Sequence, residues 1–292
     1  MNLTGDTNAL KTFYPALVRQ IAWFEQHRKA DTEGYFYTDI LNHKWESGVD
    51  GGVRFDDAGL GRWACIDATA HVYLMYAHAA KWSKALGKDE SALLKRQEAL
   101  RTFIQNDLYA AEDGSFYDIW AKRDPKKRHV VFENMWPIVV GAASPEQANR
   151  YIDNFLLNPD ALFSPHPISS LGLKDKKFEL RMWRGPSWNS MTYWAVRGCL
   201  KYGRKDAALL ILERALDQTA KQFDLTGKIW EFYHPLDGDS RELKRKPNHN
   251  QPCADYLGHN PVIAMARYFN QLKGDSNAVG AVATPPRAVV SK

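Results

Sequence analysis

The sequence predicts an all-α protein built from helical hairpins packed side by side. Two observations carry that expectation: apolar residues recur at three- and four-residue steps over most of the chain, and the connections between the resulting helices alternate between short and long. A third is that strand-like patterning is limited to short aromatic pieces. The long loops of such a stack gather at one end, where a rigid scaffold can present chemistry.

The first helix is expected over 8–28, where Leu10, Phe13, Leu17, Ile21 and Phe24 make one apolar stripe. A loop then runs through Asp31-Thr32-Glu33-Gly34 and Tyr35-Phe36-Tyr37 into the polar, Gly-rich stretch 41–59. Helical texture resumes over 60–86 and again over 89–109, with Asp89 or Ser91 as cap. The turn Asp113-Gly114-Ser115 leads into Phe116-Tyr117-Asp118. Further helices are expected over 131–142, 145–157 (opened by Ser144-Pro145-Glu146), 187–202, 204–223 and 256–272. The whole reads as one domain over 1–273. The Ala-, Val- and Pro-rich tail 274–292 has no periodicity and is expected to be disordered.

Composition narrows the function classes. Net charge is +5, but the 39 basic and 34 acidic residues are mixed along the chain, so a nucleic-acid partner is not indicated. The basic runs 122–128 and 241–246 are interrupted by acids or Pro and read as exposed loops. Cys65, Cys199 and Cys253 lie far apart without CxxC spacing, which predicts neither a disulfide framework nor a metal site and fits a reducing compartment. Residues 1–6 do not resemble a leader, and no apolar run approaches the ~20 residues of a membrane span, so a cytoplasmic location is expected. Aromatic residues make up 12% and often sit beside Gly, Pro, Asp or Asn; such rings suit either sugar stacking or a Trp-rich core.

Three constellations stand out. In 43–57, Glu46, Asp50, Asp56 and Asp57 accompany Arg54, Trp45 and Phe55 on a segment whose glycines disfavour a helix. A carboxyl shielded by Trp45 or a sugar would keep a proton for a leaving oxygen, whereas a cation-binding or capping loop would leave the Trp idle. In 182–194, Trp183 and Arg184 precede a Gly185-Pro186 turn that opens a helix; an Arg and an indole there would hold sugar hydroxyls, while Trp188 and Trp194 serve equally well as core. In 227–235, Glu231 lies among Trp230, Phe232 and Tyr233. If it faces Asp50, the two make the carboxylate pair of glycoside hydrolysis.

Trp45-Glu46-Ser47-Gly48-Val49-Asp50 with Arg54-Phe55, the stretch 141–148, the Trp183-Arg184-Gly185-Pro186 turn and Trp230-Glu231-Phe232-Tyr233-His234-Pro235 occur in one order over about residues 10–270. Together they resemble glycoside hydrolase family 63 and its trehalase-like relatives, among them mannosylglycerate hydrolases. The resemblance implies an (α/α)6 barrel, inversion at α-linked sugars, and neither cofactor nor catalytic metal. It also implies Asp50 as general acid and Glu231 as general base. Trp45, Glu46, Gly48, Arg54, Trp183, Arg184, Gly185, Trp188 and Tyr233 are then the substrate-binding candidates. Two features depart from the family pattern. About eight helices are expected against twelve in the barrel, as if the first were lacking, so association with another chain or an N-terminal segment is expected. The stretch 255–261 also lacks the usual aromatic lead into the last helix.

The expected activity is thus hydrolysis of a small α-linked glucoside or mannoside. Two alternatives stay open. One is a truncated or degenerate barrel that binds sugar without turning it over. The other is a sugar isomerase or lyase working through His43, His166, His234, His249 or His259.

Overall fold

The computed structural model describes residues 7–38, 45–59, 61–247, 252–255 and 259–275. Within them lie α1 (Asn8–His27), α2 (Ile66–Ala85), α3 (Ser91–Asn106), α4 (Ile119–Arg123), α5 (Trp136–Val140), α6 (Pro145–Tyr151), α7 (Asn189–Lys201), α8 (Lys205–Thr226) and α9 (Val262–Asp275). A two-stranded antiparallel ribbon, β1 (Tyr109–Ala110) and β2 (Ser115–Phe116), closes over Gly114, whose φ of +78° demands glycine. The fold is all-α, as the periodicity predicts.

Several boundaries differ from the expected ones for physical reasons. Helix α2 starts at Ile66 rather than 60. Cys65 is held extended by pairing with Tyr35, and the Asp118 carboxylate, not a local cap, accepts the Ile66 N–H at 2.8 Å. The stretch expected as one helix over 131–142 is a 3-10 turn (Phe132–Met135) followed by α5, which Gly141 ends in the left-handed region. Ser144 caps α6 in a reciprocal capping box with Gln147, and the helix then loosens into a π turn over Ile152–Leu156. Helix α9 runs to Asp275, two residues past the expected domain end. Residues 276–292, together with His43, Lys44 and His249, lie outside the described residues.

Consecutive helices pack as hairpins, α2 with α3 and α7 with α8, while α2, α5 and α7 touch in turn as a continuous row. Alanines 68, 70, 79 and 80 on α2 are buried, and small side chains let neighbouring helices approach closely. One side of the row faces an open cavity of about 670 Å³ bordered by His71, His78, Trp136, Trp194, Arg197 and Tyr268. At one edge of the row, α1 buries Leu10 and Ile21 but exposes Phe13, Val18 and Trp23.

Candidate active site

The loop 45–57 carries Asp50 at an exposed tip and is fixed from beneath. Val49, Val53 and Phe55 are buried anchors, while Gly48 and Gly51 take φ values of +77° and +67° that bend the chain back between them. Trp45 is 61% exposed on the same loop. Glu46 accepts from Arg28 at 2.9 Å and from Thr38 N–H at 2.6 Å. Burial alone would raise its carboxyl, but these bonds hold it below the ordinary value. Its partners make Glu46 a fastener of the loop.

Arg184 ties that loop to the segment ahead of α7. Its Nε donates to Gly51 O at 2.8 Å, the residue after Asp50, and its Nη2 contacts Asp56 at 3.1 Å. Trp183 stacks on Trp188 with centroids 3.7 Å apart and planes 6° from parallel. Trp188 in turn meets Phe232 at 4.8 Å, beside Glu231. Buried rings thus brace the segment that bears Glu231 against the segment whose Arg184 grips the Asp50 loop.

Glu231 is buried. Oε2 accepts from Arg245 Nη1 and from Cys253 N–H, the latter at 3.1 Å, and the Cys253 thiol also lies against the carboxylate. On the far side, Asn260 donates to Trp230 O at 3.1 Å and Tyr233 Oη at 2.8 Å. Asn189 bonds Asn260, Thr219 and His166. The backbone on both sides of Glu231 is therefore clamped by a buried polar network, in which only the His166 Nδ1 lacks a partner among the described residues.

The structure places several of the expected binding residues away from open surface. Arg54 does not line an open surface: it is 5% exposed and surrounded by carboxylates, with Asp67 at 2.7 Å, Asp118 at 3.0 Å and Glu133 at 3.4 Å. Tyr233 is fully buried, stacked on His166, with its hydroxyl bonded to Asn260 and Trp230 N–H, so it supports the site from inside. Trp183 and Trp188 are likewise buried, stacked on one another in the brace. Gly185 is required by backbone packing, since a Cβ there would sit 2.5 Å from Glu179 O. Gly185→Ala is accordingly expected to cost about 1–3 kcal/mol in chemical denaturation, as overpacking does.

Arg245 is a neighbour of Glu231 that the sequence hid. The run 241–246 reads as an exposed loop, yet Leu243 is buried and Lys244 pairs through its backbone with Leu180 and Met182, which delivers Arg245 to Glu231. Two histidines of the isomerase alternative serve structure. Burial pushes His166 down to about 4 while it bonds Asn189, and His234 Nδ1 accepts from Leu236 N–H.

A family model described as "Mannosylglycerate hydrolase MGH1-like glycoside hydrolase domain" matches residues 1–254. The chain belongs to this family. Its membership agrees with the solved GH63 mannosylglycerate hydrolase from Thermus thermophilus in complex with glucose. The two align with a TM-score of 0.67 at 15% identity, covering 90% of this chain and 69% of that one, which shows a shared fold. The "Periplasmic trehalase" of Pseudomonas aeruginosa is 30% identical over 58% of this chain and 30% of its own length. The "Probable mannosyl-oligosaccharide glucosidase" of Schizosaccharomyces pombe is 21% identical over 80% of this chain and 33% of its length. The MGH1-like chain thus spans about a third of the length of these two relatives. Among its described residues no helix is long and apolar enough to cross a membrane.

Proposed function

We propose that this chain is an inverting glycoside hydrolase acting on a small α-linked glucoside or mannoside, with Asp50 as general acid and Glu231 as general base. The observation that carries the proposal is the fixing of Glu231: the carboxylate is buried among aromatic rings and one of its oxygens is held by Arg245 and Cys253 N–H. A general base must be fixed in place within reach of the water it activates, and this arrangement supplies the fixing. Asp50, on the loop gripped by Arg184, would protonate the leaving oxygen while Glu231 draws the proton from water attacking the opposite face of the anomeric carbon. Inversion asks for carboxyl groups about 6.5–9.5 Å apart, with the water between them. Trp45, exposed on the same loop as Asp50, would stack on a sugar.

The test is a panel of α-glucosides and α-mannosides, including mannosylglycerate, glucosylglycerate and trehalose, with the first-formed anomer followed by NMR. Release of the β-anomer supports the proposal, and the α-anomer or an isomerised sugar overturns it.

A second reading is favoured by the open cavity bordered by His71, Trp136 and Trp194: activity requires a further helical segment seated in it. Light scattering over a concentration series is expected to show association if a second copy provides it. A strictly monomeric chain that is fully active would remove this reading.

A further inference from the structure

Buried beneath the Asp50 loop is a set of charges that do not balance. Arg54 meets Asp67 from the first turn of α2, Asp118 from the cap of α4 and Glu133 from the 3-10 turn before α5, and all four side chains are 5% exposed or less. The contacts differ in kind. Arg54 donates directed hydrogen bonds to Asp67 and Glu133, whereas its Nε lies close to Asp118 without a hydrogen-bonding angle. One cation against three ionised carboxylates would leave two uncompensated negative charges in the interior, which proteins avoid by retaining a proton.

We propose that Arg54, Asp67, Asp118 and Glu133 form a proton-holding ion cluster that positions Asp50, with one proton kept by the three carboxylates at neutral pH. The positioning part rests on the reading of Asp50 as the acid; the proton part does not. Three separate segments converge on Arg54, and only Gly51, Gly52 and Val53 lie between it and Asp50. The cluster therefore sets where that loop leaves the core.

The neighbouring groups do not supply the missing positive charge. Burial raises Tyr37, Tyr151 and Cys65 and lowers His71, so each is neutral at pH 7; Tyr117 is also raised by burial. His129 is raised through its hydrogen bonds to Asp175 and Asp57, which it already serves. Lys127 lines the small cavity next to Arg54 and Asp118 but makes no ion pair with the cluster. Within the cluster, burial pushes Asp118 up to about 6 and Glu133 up to about 7, partly opposed by Arg54. Asp67 is also penalised by burial, but Arg54 holds it below the ordinary value, so the proton belongs on Glu133 or Asp118.

The folded chain then binds this proton more tightly than the unfolded one. Stability should fall as pH rises from about 4.5 through about 7, and this contribution should level off about one pH unit above the folded value. The experiment records melting temperature from pH 5 to 8.5 for the unaltered chain, Glu133→Gln and Asp118→Asn, together with carboxyl carbon shifts of Glu- and Asp-labelled protein. The unaltered chain is expected to lose several degrees between pH 5 and 7.5 and to show one buried carboxyl titrating near 7. Glu133→Gln should flatten that slope and abolish that titration. If Glu133→Gln proves unstable, Asp118→Asn and the carboxyl shifts of the unaltered chain still decide. Three buried carboxyls that all titrate below 5 would overturn the proposal. For positioning, kcat/KM against pH is compared in the same variants: the alkaline limb should move upward in Glu133→Gln with KM unchanged, and an unmoved limb in an active enzyme would remove that part. An enzyme inactive on every glycoside would refute the reading of Asp50, while melting and carboxyl titration would still decide the cluster.

Discussion

Exchange of Asp50 for Asn is expected to lower turnover of an α-glycoside by about 10²–10⁴-fold, the span that general acid–base catalysis contributes, and to leave the melting temperature within error. The two halves of that expectation come from different parts of the loop. The loop is anchored by buried Val49, Val53 and Phe55 and by the Arg184 bond to Gly51, none of which the exchange removes. Asp50 itself is exposed, and surface substitutions away from such anchors cost little. Glu231→Gln should abolish turnover to a similar degree but also lower stability, because Arg245 would then face a neutral amide. Steady-state rates and melts on the two variants check both. Full turnover in Asp50→Asn would move the acid elsewhere.

Arg54→Met is expected to cost about 3–5 kcal/mol, the penalty for leaving buried charge without its partner, read from urea denaturation at pH 7. Three carboxylates lose their shared cation, and Phe55 loses the guanidinium lying 4.4 Å over its ring. Arg54→Lys should recover only part of that loss, since a single ammonium lacks the planar fork that reaches Asp67, Asp118 and Glu133 together. A loss under about 1 kcal/mol in Arg54→Met would mean that the carboxylates carry more protons than one.

What the sequence makes legible follows from range. Helices α1, α2, α3, α7 and α8 are set by local periodicity, and α6 by the Ser144-Pro145 start, so their existence is readable even where their ends move. Helix α4, with five residues, is too short to show a period, and the start of α2 is fixed by Asp118, 52 positions away. The same limit explains the site. Asp50 and Glu231 each sit in a motif that marks a carboxylate among aromatics, but nothing local indicates which ring faces sugar and which faces core, so Trp188 and Tyr233 read as binding residues. Arg54 reads as a binding residue through the family resemblance of its motif. Its partners Asp67, Asp118 and Glu133 lie in three other segments and form a pattern only once the helices have packed.

The bond from Arg184 to Gly51 joins positions 133 residues apart in the chain. The hairpins need only near neighbours, whereas this bond closes a long loop whose entropy must be met by contacts made first. In refolding, helical signal should therefore return before the two site loops meet. The joining of the two loops is then the final act of assembly, and a population that looks native by helix content alone still contains chains in which the Asp50 and Glu231 segments have not met.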